Sequence, residues 1–439
     1  MFRIGANRLR GAAAATAAGA GGRRAFGTGR VLSTGRAAAA AAATAAACGL
    51  GYLYVTDASA GVHRYVAGPV LRLLDPEDAH DAAVWLLRHG VCPADRGADD
   101  ALLETELWGR RVANPVGLAA GFDKNAVAVD ALFGLGFGAV EVGSITPQPQ
   151  AGNARPRLFR IDDSAAVVNR MGLNNDGAEA CADRLRSRFW RLLAAQSRAQ
   201  GETVAELARS TNRSGRAGRL LGVNLGKNKA AGADSFDDYV SGLQQLGAYA
   251  DYVVINVSCP NVTNIAANAD VAVLEQTVAA VVRARNAMPD YRPPVVLKIG
   301  PDNSADQLRL IAQLATDCAV DGIIAANTTP ARPPGLADPA GVAREQGGLS
   351  GAPLRARALE TTRQMYRLTG GRIPIIGCGG ISSAEDALAF ARAGASMVQI
   401  YTSMVYDGPG KAREIKDDLM RLLKGRRWAD VVGEEARGK

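Results

Sequence analysis

The chain has 439 residues, 48% of them hydrophobic and 21% charged, so it can bury one large core or two ordinary ones. Its formal charge of +8 falls to +1 without the seven arginines of residues 1–56, which removes any charge-based case for nucleic-acid binding. The six cysteines contain no C-x-x-C pair, which excludes zinc-finger spacing and a dense disulfide framework and indicates a reducing compartment.

The N-terminal part of the chain divides into a basic segment and an uncharged one. Residues 1–36 are rich in Arg, Ala and Gly and contain no acid, which is typical of a mitochondrial transit peptide; a disordered basic tail is the alternative. Residues 37–55 carry no charge and are about as long as a bilayer span, with Tyr52 and Tyr54 at one end. They predict a transmembrane anchor, and a poly-Ala part of the presequence is the alternative.

Residues 61–92 predict two short helices that are broken at Asp75-Pro76. Asp75 is the expected N-cap of the second helix, and Pro76 is expected at its first position. The apolar residues of this helix recur at helical spacing, at Ala79, Ala82, Ala83, Leu86 and Leu87. The helix can pack on its own domain or lie on a membrane after an anchor, and the pattern leaves both open.

From residue 103 the pattern changes to β-type runs separated by helical stretches. LETELWGRRVANP predicts a short hairpin, and the eight apolar runs that follow are 116–121, 139–145, 220–226, 252–258, 294–300, 322–328, 373–380 and 397–403. They are continuous rather than alternating, as in parallel strands buried on both faces. Eight such units predict an α/β fold, a (β/α)8 TIM barrel over residues 103–432, preceded by a small helical membrane-associated domain and an anchor. A doubly wound sheet is the alternative, but no G-x-G-x-x-G follows the first run.

Residues 191–219 interrupt this alternation. The segment is polar and basic, with Gly and Ser near its end. It predicts an extension of the preceding helix followed by a solvated loop.

Active-site residues of a barrel lie at the C-terminal ends of its strands. In this sequence these ends carry asparagines, lysines and glycines. Asparagines recur there or beside them, at positions 169, 174, 224, 256, 261 and 327. Each offers a donor and an acceptor, which suits a planar ligand edged with carbonyl and N–H groups. Lys124 and Lys298 have no matching carboxylate in their own motifs and suit an anionic ligand. Gly379-Gly380 and Ser350-Gly351 come late in the barrel, where backbone N–H groups often hold phosphate.

This inventory fits a phosphate-bearing planar cofactor beside a planar anionic substrate, and FMN is such a cofactor. The only histidines, His63, His80 and His89, precede the barrel, so the barrel has none for acid-base or metal chemistry. A flavin redox step needs only a hydride donor and one base. We expect no metal site.

Eight motifs occur at the strand ends in order: AAGFDKN, GSITPQPQAGNARPRLFR, NRMGLNN, GVNLGKNK, INVSCPN, NTT with GGLSG, IIGCGGISS and GAS-VQIYT. They resemble the dihydroorotate dehydrogenase family over residues 62–432, apart from the 191–219 insertion. LLDPEDAH resembles the quinone-using class 2 members, which carry a presequence, an anchor and a helical pair forming a quinone tunnel. The resemblance implies a single-pass protein of the inner mitochondrial membrane. It would oxidise dihydroorotate to orotate in pyrimidine biosynthesis and pass electrons through FMN to ubiquinone.

The resemblance also implies roles for individual residues. Cys259 would be the catalytic base. The substrate would be held by Lys124, Asn169, Met171, Gly172, Leu173, Asn174, Asn256, Asn261, Asn327 and Thr328. FMN would be held by Ala120, Gly121, Ser144, Asn169, Asn224, Asn256, Lys298, Ala326, Gly351, Gly380, Tyr401 and Thr402. The quinone tunnel would be lined by Pro76, Ala79, His80, Ala83 and Arg160.

The chain departs from the class 2 pattern at position 259. Class 2 members usually carry serine there, whereas cysteine is the base of soluble class 1 enzymes that use fumarate or NAD. A thiol titrates near pKa ~8.5, so a useful thiolate fraction exists near neutrality. The neighbouring Ser258 is an alternative base, fumarate is an alternative acceptor, and a non-catalytic flavin scaffold is a third interpretation. Met171 and Leu173 replace bulkier aromatics of animal members.

Overall fold

The computed structural model describes the backbone of residues 29–232, 235–257 and 268–438, and side chains from residue 36 onward within these ranges except 268–270. Most of the predicted presequence therefore lies outside the described residues. The chain forms two compact units, Met1–Leu50 and Gly51–Lys439.

The predicted anchor is helical. It lies in helix α1 (Gly29–Thr56), and alanine, its commonest residue, has the strongest helix propensity. The 21 residues Arg36–Thr56 have a mean hydropathy of 1.5, and none of this span is buried. By length and composition it could cross a membrane.

The two helices expected after the anchor are present. A π-helical turn at His63–Ala67 leads into α2 (Gly68–Arg72), and α3 (Pro76–Arg88) follows. The Asp75 carboxylate accepts hydrogen bonds from backbone N–H groups of the first turn of α3. Pro76 is at the first helical position, where its missing N–H has no cost. The predicted break at Asp75-Pro76 is therefore confirmed.

Thirteen strands follow within the described residues, and eight of them form the predicted barrel. In chain order the strands are β1 (Thr105–Leu107), β2 (Arg110–Val112), β3 (Val116–Leu118), β4 (Ala139–Ile145), β5 (Leu158–Ile161), β6 (Ala166–Asn169), β7 (Leu220–Leu225), β8 (Tyr252–Asn256), β9 (Val295–Ile299), β10 (Gly322–Ala325), β11 (Gly348–Gly351), β12 (Ile375–Cys378) and β13 (Ala395–Ile400). The closed, parallel order is β3-β4-β7-β8-β9-β10-β12-β13. Closure rules out the doubly wound alternative, which is an open sheet.

Helices surround this barrel and continue to the C-terminus. They are α4 (Val129–Gly134), α5 (Ala178–Gln200), α6 (Val204–Ser210), α7 (Asp237–Leu246), α8 (Asn268–Asn286), α9 (Ala305–Asp317), α10 (Arg355–Leu368), α11 (Ala384–Ala393), α12 (Thr402–Asp407), α13 (Lys411–Leu423) and α14 (Trp428–Val431). Apolar side chains between strands and helices form the largest core cluster, and this burial on both faces explains the continuous apolar runs.

The short hairpin predicted at LETELWGRRVANP is confirmed as β1–β2, and the structure places it across the N-terminal end of the barrel. Its side chains join those inside the barrel in one apolar cluster. The indole N–H of Trp108 donates to the carbonyl of Asp321, 2.7 Å away, just before β10. With this end filled, a ligand can enter the barrel only from the opposite end.

A second, three-stranded sheet has the order β11-β6-β5. The residues PRLFRIDDSAAVVNRMGLNN predict a hairpin, and the antiparallel pair β5–β6 confirms it. Strand β11 is an addition that the sequence analysis missed, pairing antiparallel with β6 so that Asn169 lies opposite Gly348. This sheet carries Asn169 and Ser350, which both reach the cavity described below.

The 191–219 insertion is more ordered than the sequence predicts. Helix α5 extends into it as expected, but α6 follows, and the end of the segment is not a solvated loop. Ser214 is fully buried, and Arg213 stacks on the Tyr291 ring, 4.0 Å from its centroid. The backbone N–H groups of Arg213 and Ser214 donate to the buried carboxylate of Asp251. The predicted solvated loop is therefore wrong for this part.

Candidate active site

A cavity of about 1010 Å³ opens at the C-terminal ends of the barrel strands. Small-molecule sites usually measure roughly 300–1,000 Å³, so it has room for a cofactor and a substrate together. The predicted residues that line it are Ala120, Gly121, Lys124, Ser144, Asn169, Met171, Gly172, Leu173, Asn256, Lys298, Ala326, Asn327, Thr328, Gly351, Gly380, Tyr401 and Thr402. Strand ends far apart in sequence thus meet at one surface.

The other predicted site residues are not part of the cavity lining that the described residues form. Cys259 and Asn261, with the alternative base Ser258, lie outside the described residues. Asn174 and Asn224 are described but do not line the cavity. The expected quinone residues also lie beyond it, Pro76, Ala79, His80 and Ala83 on α3 and Arg160 on β5.

Lys124 connects the cavity to α3. Its Nζ atom lies 3.4 Å from Nε2 of His80. Burial lowers the pKa of Lys124 to about 8, although the charges of Asp81 and Glu77 oppose this. Burial and the charge of Lys124 lower the pKa of His80 to about 3, so its ring is neutral near pH 7 and can accept a hydrogen bond from the ammonium. Lys124 can therefore present a positive charge to an anionic ligand.

The floor of the cavity has an ion pair that single motifs do not reveal. Lys298 on β9 is 5% exposed, and its Nζ lies 3.8 Å from Oε1 of Glu141 on β4. Glu141 is fully buried in the middle of its strand. The motif that contains Lys298 has no matching carboxylate, as predicted, and the structure supplies one from another strand. The ion pair places a fixed cation at the cavity without a large net charge.

The opposite side of the cavity is built from glycines and hydroxyls. Gly351 has φ of +97°, and a Cβ there would lie 2.2 Å from the carbonyl oxygen of Ala165. Gly380 has φ of +72°, and a Cβ there would meet the backbone of Arg355 at 2.6 Å. Packing against these backbone atoms requires glycine at both places, and both glycines line the cavity, where a ligand can reach their backbone. The Thr402 hydroxyl lies nearby and donates to Ser350 Oγ at 2.9 Å.

Two buried polar atoms at this cavity have no hydrogen-bond partner among the residues that the structure describes. They are Oγ of Ser403 and Oε1 of Gln399. Buried polar atoms in native proteins are almost always hydrogen-bonded, so both atoms point to a polar ligand. Together with the open glycine backbone, they fit a phosphate-bearing planar group of the FMN type.

The helical segment is fixed to the barrel by arginines. The guanidinium of Arg157 contacts both carboxylate oxygens of Glu77, with distances of 2.8–3.1 Å, and both side chains are buried. Arg160 donates to the carbonyl oxygens of Arg72 and Leu74, each at 2.7 Å. Arg160 therefore joins β5 to the end of α2, close to the helices where a tunnel is expected.

Sequence reasoning missed several residues of this site. Glu141, Gln399 and Ser403 were not predicted, although Gln399 and Glu141 carried a signal. Each interrupts an otherwise apolar strand run, and a polar group in a buried strand needs partners. Ser403 carried no comparable signal, because serine is common in loops and helix ends.

Comparisons with known proteins agree with this geometry. Residues 102–423 match the family model for dihydroorotate dehydrogenase. The chain is 46% identical over 372 residues to dihydroorotate dehydrogenase (quinone) of Rhodospirillum rubrum, covering 84% of this chain and 92% of that one. It is 43% identical over 390 residues to the mitochondrial quinone enzyme of Mus musculus, covering 88% and 93%.

The fold also matches solved structures. The crystal structure of DHODH from Eimeria tenella in complex with ferulenol superposes with a TM-score of 0.74 at 36% sequence identity. The match covers 83% of this chain and 96% of that one.

Proposed function

The chain belongs to the dihydroorotate dehydrogenase family, and from this premise we propose how its own residues bind cofactor, substrate, quinone and membrane. The protein oxidises dihydroorotate with a quinone as electron acceptor, as its relatives' names state. The observation that carries the residue-level proposal is the convergence of lysine, asparagine and open glycine backbone on one cavity.

FMN is the proposed cofactor. When bound, FMN accepts a hydride and passes electrons on to an acceptor. Gly351, Gly380 and Thr402 would hold its phosphate, since the backbone is accessible there and a hydroxyl stands beside it. Lys298 would lie against the ring system and stabilise negative charge on it. The unpartnered oxygen of Gln399 and hydroxyl of Ser403 support the fit.

Dihydroorotate would lie between Lys124 and the asparagines. The Lys124 ammonium suits the substrate carboxylate, because an anion beside it also favours the charged amine. Asn169, Asn256 and Asn327 suit the edge of the pyrimidine ring, which alternates carbonyl and N–H groups. Thr328 would complete this set. These side chains hold the ring flat and in one orientation, which is the positioning that a hydride transfer needs.

Cys259 is the proposed base. Oxidation removes a hydride from carbon 6 and a proton from carbon 5, leaving a double bond between them. The thiolate of Cys259 would take the proton. The proposal rests on the INVSCPN motif, which follows β8 at the cavity end of the barrel, and on the ordinary pKa of a thiol, ~8.5.

Helices α2 and α3 would bind the quinone and contact the membrane surface. Large apolar side chains on and beside α2 and α3 are exposed, Leu73 at 85%, Tyr65 at 75% and Trp85 at 58%. Such side chains suit a lipid surface. A quinone would then pass along Pro76, Ala79, His80, Ala83 and Arg160. Helix α1 would be a single-pass anchor, and the inner mitochondrial membrane is the proposed location.

The test is anaerobic addition of dihydroorotate to the purified full-length protein. We expect a yellow protein that contains FMN, and we expect its flavin absorbance to bleach. A protein without flavin, or a flavin that dihydroorotate does not bleach, would contradict the proposal.

A further inference from the structure

A buried carboxylate, that of Glu141, is hydrogen-bonded to side-chain amides at or beside the cavity although it does not line the cavity itself. Glu141 is fully buried inside the barrel and is not among the cavity residues. Its Oε1 accepts from Nδ2 of Asn224 at 2.8 Å, and its Oε2 accepts from Nε2 of Gln399 at 2.7 Å and from the Tyr252 hydroxyl at 3.3 Å. An ionised carboxylate can only accept, so each of these groups must turn a donor toward it.

From Asn224 a chain of hydrogen bonds runs to the cavity. Because the amide nitrogen of Asn224 faces Glu141, its oxygen faces the other way, and this oxygen accepts from the Ser144 hydroxyl. Ser144 Oγ in turn accepts from Nδ2 of Asn256 at 3.1 Å. The oxygen of Asn256 accepts from Nδ2 of Asn327 at 3.1 Å. The oxygen of Asn327 accepts from the backbone N–H of Thr328 at 2.9 Å.

Every link in this chain points the same way. A reversed amide at any position would bring two donors or two acceptors together, which costs a buried hydrogen bond. The two ends impose the same direction, because the Glu141 carboxylate cannot donate and the Thr328 N–H cannot accept. The chain runs from β4 to β7, returns to β4 at Ser144, and continues to Asn256 on β8 and to Asn327 just after β10.

We propose that Glu141 is a positioning residue, whose carboxylate fixes which edge of Asn256, Asn327 and Gln399 faces the ligands. The inference rests on the proposed function, because these amides are the proposed ligands of dihydroorotate and FMN. Glu141 also lies 3.8 Å from Lys298, so the same carboxylate orients the cation of the cavity floor.

A buried carboxylate with a purely structural role has a different set of hydrogen-bond partners. Asp251 is the comparable buried carboxylate, and it accepts from backbone N–H groups of Arg213, Ser214 and Leu221 and from the side chain of Arg110. It lies before β8, at the closed end of the barrel. Asp251 fixes loops, whereas Glu141 fixes side chains that reach the cavity.

The direct test is Glu141→Gln in the full-length holoenzyme, with orotate and FMN as probes. Glutamine can donate, so the direction of the chain is no longer imposed at this end. We expect the dissociation constants of orotate and of FMN to rise roughly tenfold or more, because hydrogen bonds to a charged group are lost or reversed. Tyr252→Phe is the matched control, since it removes one donor to Glu141 and leaves the chain intact; both constants should stay within about twofold.

A swap variant separates direction from stability. The double variant Glu141→Gln with Asn224→Asp places the carboxylate at position 224. There it accepts from the amide introduced at position 141 and from the Ser144 hydroxyl. The chain beyond Ser144 then keeps its direction, and we expect orotate affinity to return to within about threefold of the unchanged protein. No loss in the single variant, or no recovery in a swap variant that still unfolds at the same temperature, would overturn the inference. If the unchanged protein holds no FMN, the proposed function itself fails.

Discussion

The side chains of Lys124 and His80 meet in the interior, with Nζ of Lys124 3.4 Å from Nε2 of His80. Lys124 lines the cavity and His80 belongs to α3, so the contact joins the proposed substrate site to the helices proposed for the quinone. The neutral imidazole accepts from the ammonium, and burial holds the pKa of Lys124 near 8. The charge that we propose for binding the substrate carboxylate therefore titrates close to physiological pH.

The first prediction is that orotate binding weakens as pH rises through about 8. Below this value Lys124 is an ammonium, and above it the amine is neutral and no longer attracts the orotate carboxylate. Calorimetric titration with orotate avoids the proton-transfer step and measures binding alone. Lys124→Met should bind weakly at every pH. An affinity that stays constant between pH 6.5 and 9 would be inconsistent with this role.

The second prediction concerns the base. Cys259→Ala should abolish flavin reduction by dihydroorotate and leave FMN bound. Cys259→Ser should keep some activity with its pH profile moved upward, because a hydroxyl is a far weaker acid than a thiol of pKa ~8.5. Stopped-flow absorbance without quinone measures this half-reaction. Flavin reduction at an unchanged rate in the alanine variant would remove Cys259 from the mechanism.

The third prediction concerns the attachment of α3. Glu77→Ala leaves the buried Arg157 guanidinium without its carboxylate, and this should lower the free energy of unfolding by about 3 kcal/mol. Asp78→Ala is the control, since Asp78 pairs only with the half-exposed Arg155 and should change stability by less than about 1 kcal/mol. Urea unfolding measures both. Equal effects of the two variants would contradict the assignment.

The same pair gives a pH dependence. Burial would raise the pKa of Glu77, but the charges and hydrogen bonds of Arg157 and Arg155 hold it below its ordinary value of 4.5. The stabilisation is therefore present above pH 4.5 and lost as pH falls through the lowered pKa. The difference between the Glu77→Ala variant and the unchanged protein should be full at pH 7 and shrink in acid.

The fourth prediction concerns the anchor. A charge near the middle of a span costs roughly 2.5–3.5 kcal/mol, so Ala42→Asp with Ala46→Asp should release the protein from mitochondrial membranes in alkaline carbonate. Glu104→Gln with Glu106→Gln, which leaves the span untouched, should remain membrane-bound. Release of the unchanged protein by carbonate would refute a spanning helix.

The architecture could be predicted from the sequence because its signals are local. A continuous apolar run indicates a strand that is buried on both faces. The pair Asp75-Pro76 alone indicates where a helix starts. Strand β11 escaped prediction because Gly348–Gly351 has little β propensity and pairs with a distant partner, β6. Arg213 was expected in solvent, because its partners Asp251 and Tyr291 lie far along the chain.

The site was predictable in its membership and less so in its connections. Motifs at strand ends identified Lys298, Asn256 and Asn327, and the structure brings all three to one cavity. Their orientation depends on Glu141, which is 157 positions before Lys298 in the chain. No motif contains both residues, and only barrel closure brings them together.

The acceptor is the point on which the whole account depends, since Cys259 is typical of soluble relatives and the N-terminal segment is typical of membrane enzymes. The decisive measurement is an anaerobic assay with dihydroorotate as donor and either a ubiquinone analogue or fumarate as acceptor. We expect one orotate to form for each quinone reduced, and no orotate to form with fumarate. Turnover with fumarate and not with the quinone would contradict it.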